Sequence, residues 1–146
     1  MEIVIKSWAE ASQDAYLIRK QVFVQEQGVP EELELDEFDS SAQHILVYQG
    51  DACIATARLV KLDDACSQIG RMAVLSPFRR QGIGMAILRA LIDLAKREQI
   101  SSLVLHSQVI AIPFYEKLGF KGDGPFYDEA GILHRNMMLS LANVLL

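Results

Sequence analysis

Apolar residues recur along the chain with a period of two in some blocks and close to four in others, and each change of period marks a new element. "EIVIK" alternates over residues 2–6 and predicts a first strand. From Ala9 to about Gln25, residues Ala15, Ile18, Val22 and Gln25 fall along one side of a predicted helix, with Gly28 as its stop and Pro30 barring continuation. Three antiparallel strands are expected next, at about 42–49, 53–61 and 67–74, with turns at Gly50-Asp51 and Asp63-Asp64. A turn centred on Asp63-Asp64 sets Cys53 opposite Val74 and Cys66 opposite Lys61. A long helix from Gly82 to about Glu98 buries Ile83, Ile87, Ala90, Leu91 and Leu94. "SSLVLHS" follows that helix, and a strand-helix-strand unit makes a parallel crossover. A last helix lies in "IAIPFYEKLGF", ending at Gly119-Phe120, and the remainder reads as two strands around a loop. The class is α/β, with a mixed sheet.

Composition narrows this further. Of 146 residues, 51% are hydrophobic, enough for one core and too few for two full domains, so a single domain over 1–146 is expected. A formal charge of -5 argues against a nucleic-acid surface, which needs a basic footprint. No apolar stretch approaches the roughly 20 residues that cross a bilayer, and "MEIVIKSWAE" resembles no leader, so no membrane partner and a cytoplasmic location are expected. Cys53 and Cys66 have neither metal-ligand nor redox spacing; free thiols and no metal are expected. The acidic run "PEELELDEFDS" reads as a solvated loop, or as a lure for a cationic amine. Monomer and homodimer both stay open.

The segment "SPFRRQGIG" carries the most specific chemistry. Position 87 is isoleucine, so Gly82 and Gly84 do not complete GxGxxG, and no GK[ST] follows. A helix start nevertheless exposes backbone N–H groups, glycines permit close approach, and Arg79 or Arg80 favours negative charge, so a pyrophosphate fits. The alternative is a plain helix cap beside solvated arginines.

"RRQGIG", between a strand and a long helix, resembles the coenzyme A pyrophosphate motif [RQ]xxGx[GA] of the GCN5-related N-acetyltransferases (GNAT), with Arg79, Gly82 and Gly84 at its named positions. "FYEKLGF" resembles that family's later helix and the strand after it, and "RKQVFVQEQGVPEELELDEFD" with "EAGILHRNM" resembles its small bacterial ElaA/YjcF-like branch. The resemblance implies a mostly antiparallel sheet with a splayed central parallel strand pair and flanking helices, and acetyl-coenzyme A as cosubstrate. It implies cofactor contacts at Met72, Ala73 and Val74 through their backbone, at Arg79, Arg80, Gln81, Gly82, Ile83 and Gly84 around the pyrophosphate, and at Gln108, where many relatives have asparagine. Tyr115 corresponds to the tyrosine that reaches the cofactor sulfur, and a phenol can protonate a departing thiolate; without that context it reads as packing beside Phe114.

His134 and Glu26 are the candidate bases for the amine, with His44 and His106 also in view; each histidine also has a structural reading. Arg19, Arg58 and Arg71 could meet an acceptor carboxylate or be paired internally. The expected function is direct acetyl transfer to a small amine, or a peptide amine, in a ternary complex, because neither cysteine is placed for a covalent intermediate. A non-catalytic acyl-coenzyme A-binding module is the alternative.

Overall fold

A computed structural model describes residues 1–141. Seven strands form one sheet: β1 (Glu2–Lys6), β2 (Gln43–Gln49), β3 (Ala52–Lys61), β4 (Cys66–Val74), β5 (Ser102–Gln108), β6 (Lys121–Glu129) and β7 (Ile132–Ser140), in the order β1-β2-β3-β4-β5-β7-β6. Every neighbouring pair is antiparallel except β4 and β5, as expected for the α/β class read from the sequence.

Helix α1 (Trp8–Arg19) covers one face of the sheet, where Ala11, Ala15 and Ile18 meet Leu46 and Ala73. The predicted helix to Gln25 changes character at Arg19: Lys20–Glu26 is π-helical, stopped at Gly28 with φ of 78°. The wider turn rotates the later side chains away from the 3.6-residue pattern, which leaves Gln25 exposed and turns Phe23 and Gln27 toward the site described below. The one-turn helix α2 (Glu31–Glu34) follows.

Helix α3 (Ile83–Arg97) covers the opposite face and buries Ile83, Ile87, Leu88, Leu91, Leu94 and Ala95. The buried stripe is wider than predicted, with Ala90 only half-buried at its margin. Leu88 and Ala95 complete it, each one position beyond a predicted stripe residue, Ile87 and Leu94. Helix α4 (Ile112–Glu116) is shorter than "IAIPFYEKLGF" suggested, preceded by a 3-10 turn at Val109–Ala111 and ended near Gly119, whose φ is 94°.

The β3–β4 register corrects the expected partners of the cysteines. Val74 pairs with Ala55, Lys61 with Ser67, and Cys53 with Tyr48 in β2. One residue of the shift comes from the turn: Leu62 N donates to Cys66 O, and the Asp63 carboxylate accepts from the amides of Ala65 and Cys66. The other comes from a bulge, where Arg71 and Met72 together face Ala57, with Arg71 at φ of 51°. Both thiols are free.

A buried ionic clasp fixes α2 and the loop after it over the sheet. Arg19 is 1% exposed, Glu34 2% and Asp39 3%. Arg19 Nε donates to Glu34 Oε1 at 2.6 Å and Nη1 to Asp39 Oδ1 at 2.8 Å. Arg58 Nη1 reaches Asp36 Oδ1 at 2.6 Å and Asp39 Oδ1 at 3.0 Å, while Arg71 Nη2 donates to Asp36 Oδ2 at 3.1 Å. His44 Nε2 donates to the Asp39 carbonyl, and burial pushes its pKa down. The acidic run is thus divided: Glu34, Asp36 and Asp39 form a fastening, while Glu31, Glu32 and Glu37 stay exposed as a solvated loop would.

Arg19→Met keeps most of the side-chain volume but leaves two buried carboxylates without their main partner. Urea unfolding at pH 7 should lose about 3–5 kcal/mol. Burial works to raise the Asp39 carboxyl, and Arg19 and Arg58 outweigh it and hold the carboxyl below its ordinary value. Such a group adds stability above its unfolded pKa of about 4 and loses that contribution as pH falls through the lower folded value. Unfolding free energy in the wild type should therefore fall below about pH 4, and less steeply in R19M.

Candidate active site

β4 and β5 are paired only from Cys66–Ser102 to Ile69–Leu105. Beyond that point β4 stays bonded to β3 through Ala73 and Val74, and β5 stays bonded to β7 as far as Gln108. The two strands therefore part. The bulge at Arg71 supplies the cause, since an extra residue bends its strand and increases the local twist. The β4 edge from Met72 to Val74 faces the gap with backbone groups that pair with no strand on that side.

A cavity of about 520 Å³ occupies the gap and extends beneath the π-helical segment and α2. Met72, Gln108 and Tyr115 lie on its wall, together with Arg58, Arg71, His106, Glu129 and His134. Tyr115 packs edge-on against Phe114 and Phe120, and burial pushes its phenol up to about 12. Gln108 Nε2 donates to Gln27 Oε1 at 2.9 Å, which holds the amide at the mouth of the gap.

His134 and His106 flank Glu129 across the β5–β7–β6 ladder. His106 Nδ1 lies 3.0 Å from Glu129 Oε1 and His134 Nε2 lies 3.8 Å from Glu129 Oε2, with the Tyr127 ring stacked on His134. His134 Nδ1 sits 2.7 Å from the Ile132 carbonyl. A carbonyl only accepts, so Nδ1 carries the hydrogen, and Nε2 of the neutral ring is left as an acceptor.

The glycine segment follows the end of β4, and none of Arg79, Arg80, Gln81, Gly82, Ile83 and Gly84 is among the residues lining the cavity, nor are Ala73 and Val74. Ser76–Phe78 makes one 3-10 turn, Arg80 has φ of 63°, and Gly82 has φ of 80° as the N-cap of α3. The first helical hydrogen bond runs from Ala86 N to Gly82 O; among the described residues the amides of Ile83, Gly84 and Met85 meet no acceptor. Gln81 Nε2 donates to the Pro77 carbonyl, and the Arg80 side chain is exposed.

Arg79 and Glu26 were separate expectations, and the fold joins them. Arg79 Nη1 and Nη2 donate to the Glu26 carboxylate at 2.6 and 2.8 Å, and Nε donates to the Val74 carbonyl at 2.8 Å. The hydrogen bonds from Arg79 hold the Glu26 carboxyl below its usual range. Glu26 is not among the residues lining the cavity, and neither is His44.

Sequence reading missed Glu129 and understated Arg58 and Arg71. The available signal for Glu129 was "EAG", a turn that brings its strand back beside His134, but only the register shows which side chains meet. Arg58 is buried, and its Nε is a buried nitrogen without a partner. No group of three or more metal-binding side chains occurs among the described residues, and none of their helices is long and apolar enough to cross a membrane.

The profile of the Acetyltransferase (GNAT) domain matches residues 8–141. This chain belongs to the GNAT family. It is 37% identical over 140 residues to YjcF of Bacillus subtilis, described as an uncharacterised N-acetyltransferase, covering 94% of this chain and 99% of that protein. The crystal structure of Escherichia coli ElaA superimposes with a TM-score of 0.84 at 25% identity, covering 94% and 99% of the two chains. An acyl-CoA N-acyltransferase from Pseudomonas aeruginosa gives 0.86 at 25% identity, covering 94% and 97%. The GNAT resemblance seen in the motifs, and its ElaA/YjcF-like branch, are therefore confirmed, and the chain is an acetyltransferase of GNAT fold.

The two glycines of the motif differ in what surrounds them. A Cβ at Gly84 would stand 3.3 Å from Phe114 Cζ, whereas one at Gly82 would meet nothing within 4 Å. Gly84→Val should therefore destabilise by about 1–3 kcal/mol through overpacking and displace the Phe114–Tyr115 pair. Gly82→Ala should cost about 1 kcal/mol from its left-handed backbone alone. Denaturant unfolding with near-ultraviolet circular dichroism compares the two.

Proposed function

We propose that this chain transfers the acetyl group of acetyl-coenzyme A to a primary amine by direct attack in a ternary complex. The observation that carries the reading is one continuous cavity reaching from the parted β4 and β5 edges, past Tyr115, to His134. The free amides at the start of α3 suit the pyrophosphate, with Arg80 beside them. The β4 backbone at Met72, Ala73 and Val74 suits the pantetheine arm, as an added strand would. Gln108, on the cavity wall at the end of β5, contacts that arm in this reading. Arg79 and Glu26 act on the loop's shape: their mutual pair ties the glycine segment to the π-helical segment, and Glu26 is too well satisfied to serve as base.

His134 Nε2 takes the proton from the acceptor ammonium, and the freed nitrogen attacks the thioester carbonyl carbon. A C–N bond forms and the C–S bond breaks. Tyr115 then gives its phenolic proton to the leaving sulfur, and the excess proton still on the bonded nitrogen passes through solvent to the Tyr115 oxygen, leaving a neutral amide, the free thiol, a restored phenol and His134 as the imidazolium. Its raised pKa keeps the proton in place through neutral and mildly alkaline pH. Burial disfavours the thiolate in the same way, which strengthens the thiolate as a proton acceptor.

Tyr115→Phe removes one oxygen from a wall residue and keeps the ring. Single-turnover rates should fall about 100-fold or more with acetyl-coenzyme A affinity little changed; a wild-type rate in the folded variant would leave Tyr115 as packing. The alternative, an acyl-coenzyme A sensor, predicts tight cofactor binding with no thiol release on any amine.

Gly82→Trp tests the phosphate assignment. Calorimetry should show a larger loss of affinity for coenzyme A than for a pantetheine fragment lacking the pyrophosphate. Equal losses would move the phosphate site elsewhere.

A further inference from the structure

The acceptor end of the cavity has a particular balance of charge. Its lining acids on the α2 side are spent: Glu34 is bonded to Arg19, and Asp36 is held by both Arg58 and Arg71. Glu31, farther along the same run, is bonded to Tyr16 and Lys20. The acids of the run that line the cavity therefore offer little to attract a polycation; Glu32 and Glu37 are exposed and outside the lining. Glu129, on the opposite wall, is the lining carboxylate that no arginine or lysine neutralises among the described residues.

Glu129 also faces an atom that lacks a donor. His134 is 6% exposed, its Nδ1 hydrogen is committed to the Ile132 carbonyl, and its Nε2 has no hydrogen-bond partner among the described residues. Nε2 of the neutral ring and Glu129 Oε2 are both acceptors, standing 3.8 Å apart. Two acceptors so placed call for a donor able to serve both, and an ammonium group has the hydrogens to do so. His106, donating from Nδ1, fixes the carboxylate from the other side.

Beyond the paired Arg58 and Arg71 and the amide of Gln68, this end carries apolar side chains. Leu33, Phe38 and Leu62 line the cavity while remaining 54%, 46% and 49% exposed, with Val60 and Ile132 beside them. We propose that the acceptor is a singly charged primary amine with an apolar body, its ammonium seated between Glu129 and His134 Nε2 and its body against Leu33, Phe38 and Leu62. This rests on the N-acetyltransferase reading above and names its substrate class. One unspent carboxylate suits one ammonium, and a second charge on the same molecule would be laid against apolar walls at a desolvation cost.

The test separates the seat from the chemistry. Calorimetry on the full chain saturated with coenzyme A, a complex that does not turn over, measures binding of n-hexylamine, hexanol and spermidine. Hexylamine should bind at least about tenfold more tightly than either of the others, and Glu129→Gln should remove about 10- to 100-fold of its affinity while coenzyme A affinity stays unchanged. Leu62→Asp should narrow or reverse the preference for hexylamine over spermidine. Equal binding of hexylamine and spermidine, an unaltered hexylamine affinity in E129Q, or no hexylamine binding at all would overturn the proposal. Hexylamine binding that meets the affinity pattern above, without thiol release from acetyl-coenzyme A, would support the seat and overturn the transferase reading.

Discussion

The site depends on the early end of one strand pairing. β4 and β5 share four paired positions and then separate, because β4 carries a bulge that its other neighbour, β3, does not share. Parallel strands usually lie inside a sheet with both edges satisfied. Here β4 keeps its bonds to β3 while its opposite edge borders a gap. That single departure creates the cavity, leaves backbone groups available along Met72 to Val74, and lets Tyr115 of α4 approach the same space from the α3 side.

The wall opposite the gap is held by charge rather than by hydrophobic contact. Arg19, Arg58 and Arg71 come from a helix and two strands, and they gather Glu34 from α2 and Asp36 and Asp39 from the loop after it. Burying such groups is costly unless each is paired, and the clasp answers that by matching three cations with three anions. The geometry fixes where the loop can sit. It also pairs Glu34 and Asp36, the two acids of that segment that line the cavity, while the exposed Glu32 and Glu37 lie outside the lining.

Some of this was legible without coordinates. Strand alternation in "IATARLV", the stripe of α3, and the stops at Gly28 and Gly119 are local signals, because side-chain period and left-handed backbone are properties of a few neighbouring residues. The strand-turn-helix context of "RRQGIG" was equally local. The π-helical turn after Arg19 was not, since its first half keeps the ordinary helical pattern and the widened turn is fixed by packing over β4. The cysteine register failed for a related reason: the turn at residues 62–66 shifts every β3–β4 partner by one, and the residue inserted at Arg71 shifts those beyond it by one more.

The sequence by itself determined the element order, the mixed sheet with its parallel crossover and the glycine segment at the start of α3, which follow from periodicity and short-range backbone preference, and its motifs carried the resemblance to the family. Only the tertiary structure decided which charged groups face each other. Glu26 with Arg79 and Arg19 with Glu34 are distant in the chain and become partners through packing. Glu129 beside His106 and His134 is set by the registers of β5, β6 and β7. Charge pairing depends on distances of a few ångströms across separate elements, and those distances exist only once the sheet has closed and the helices have docked.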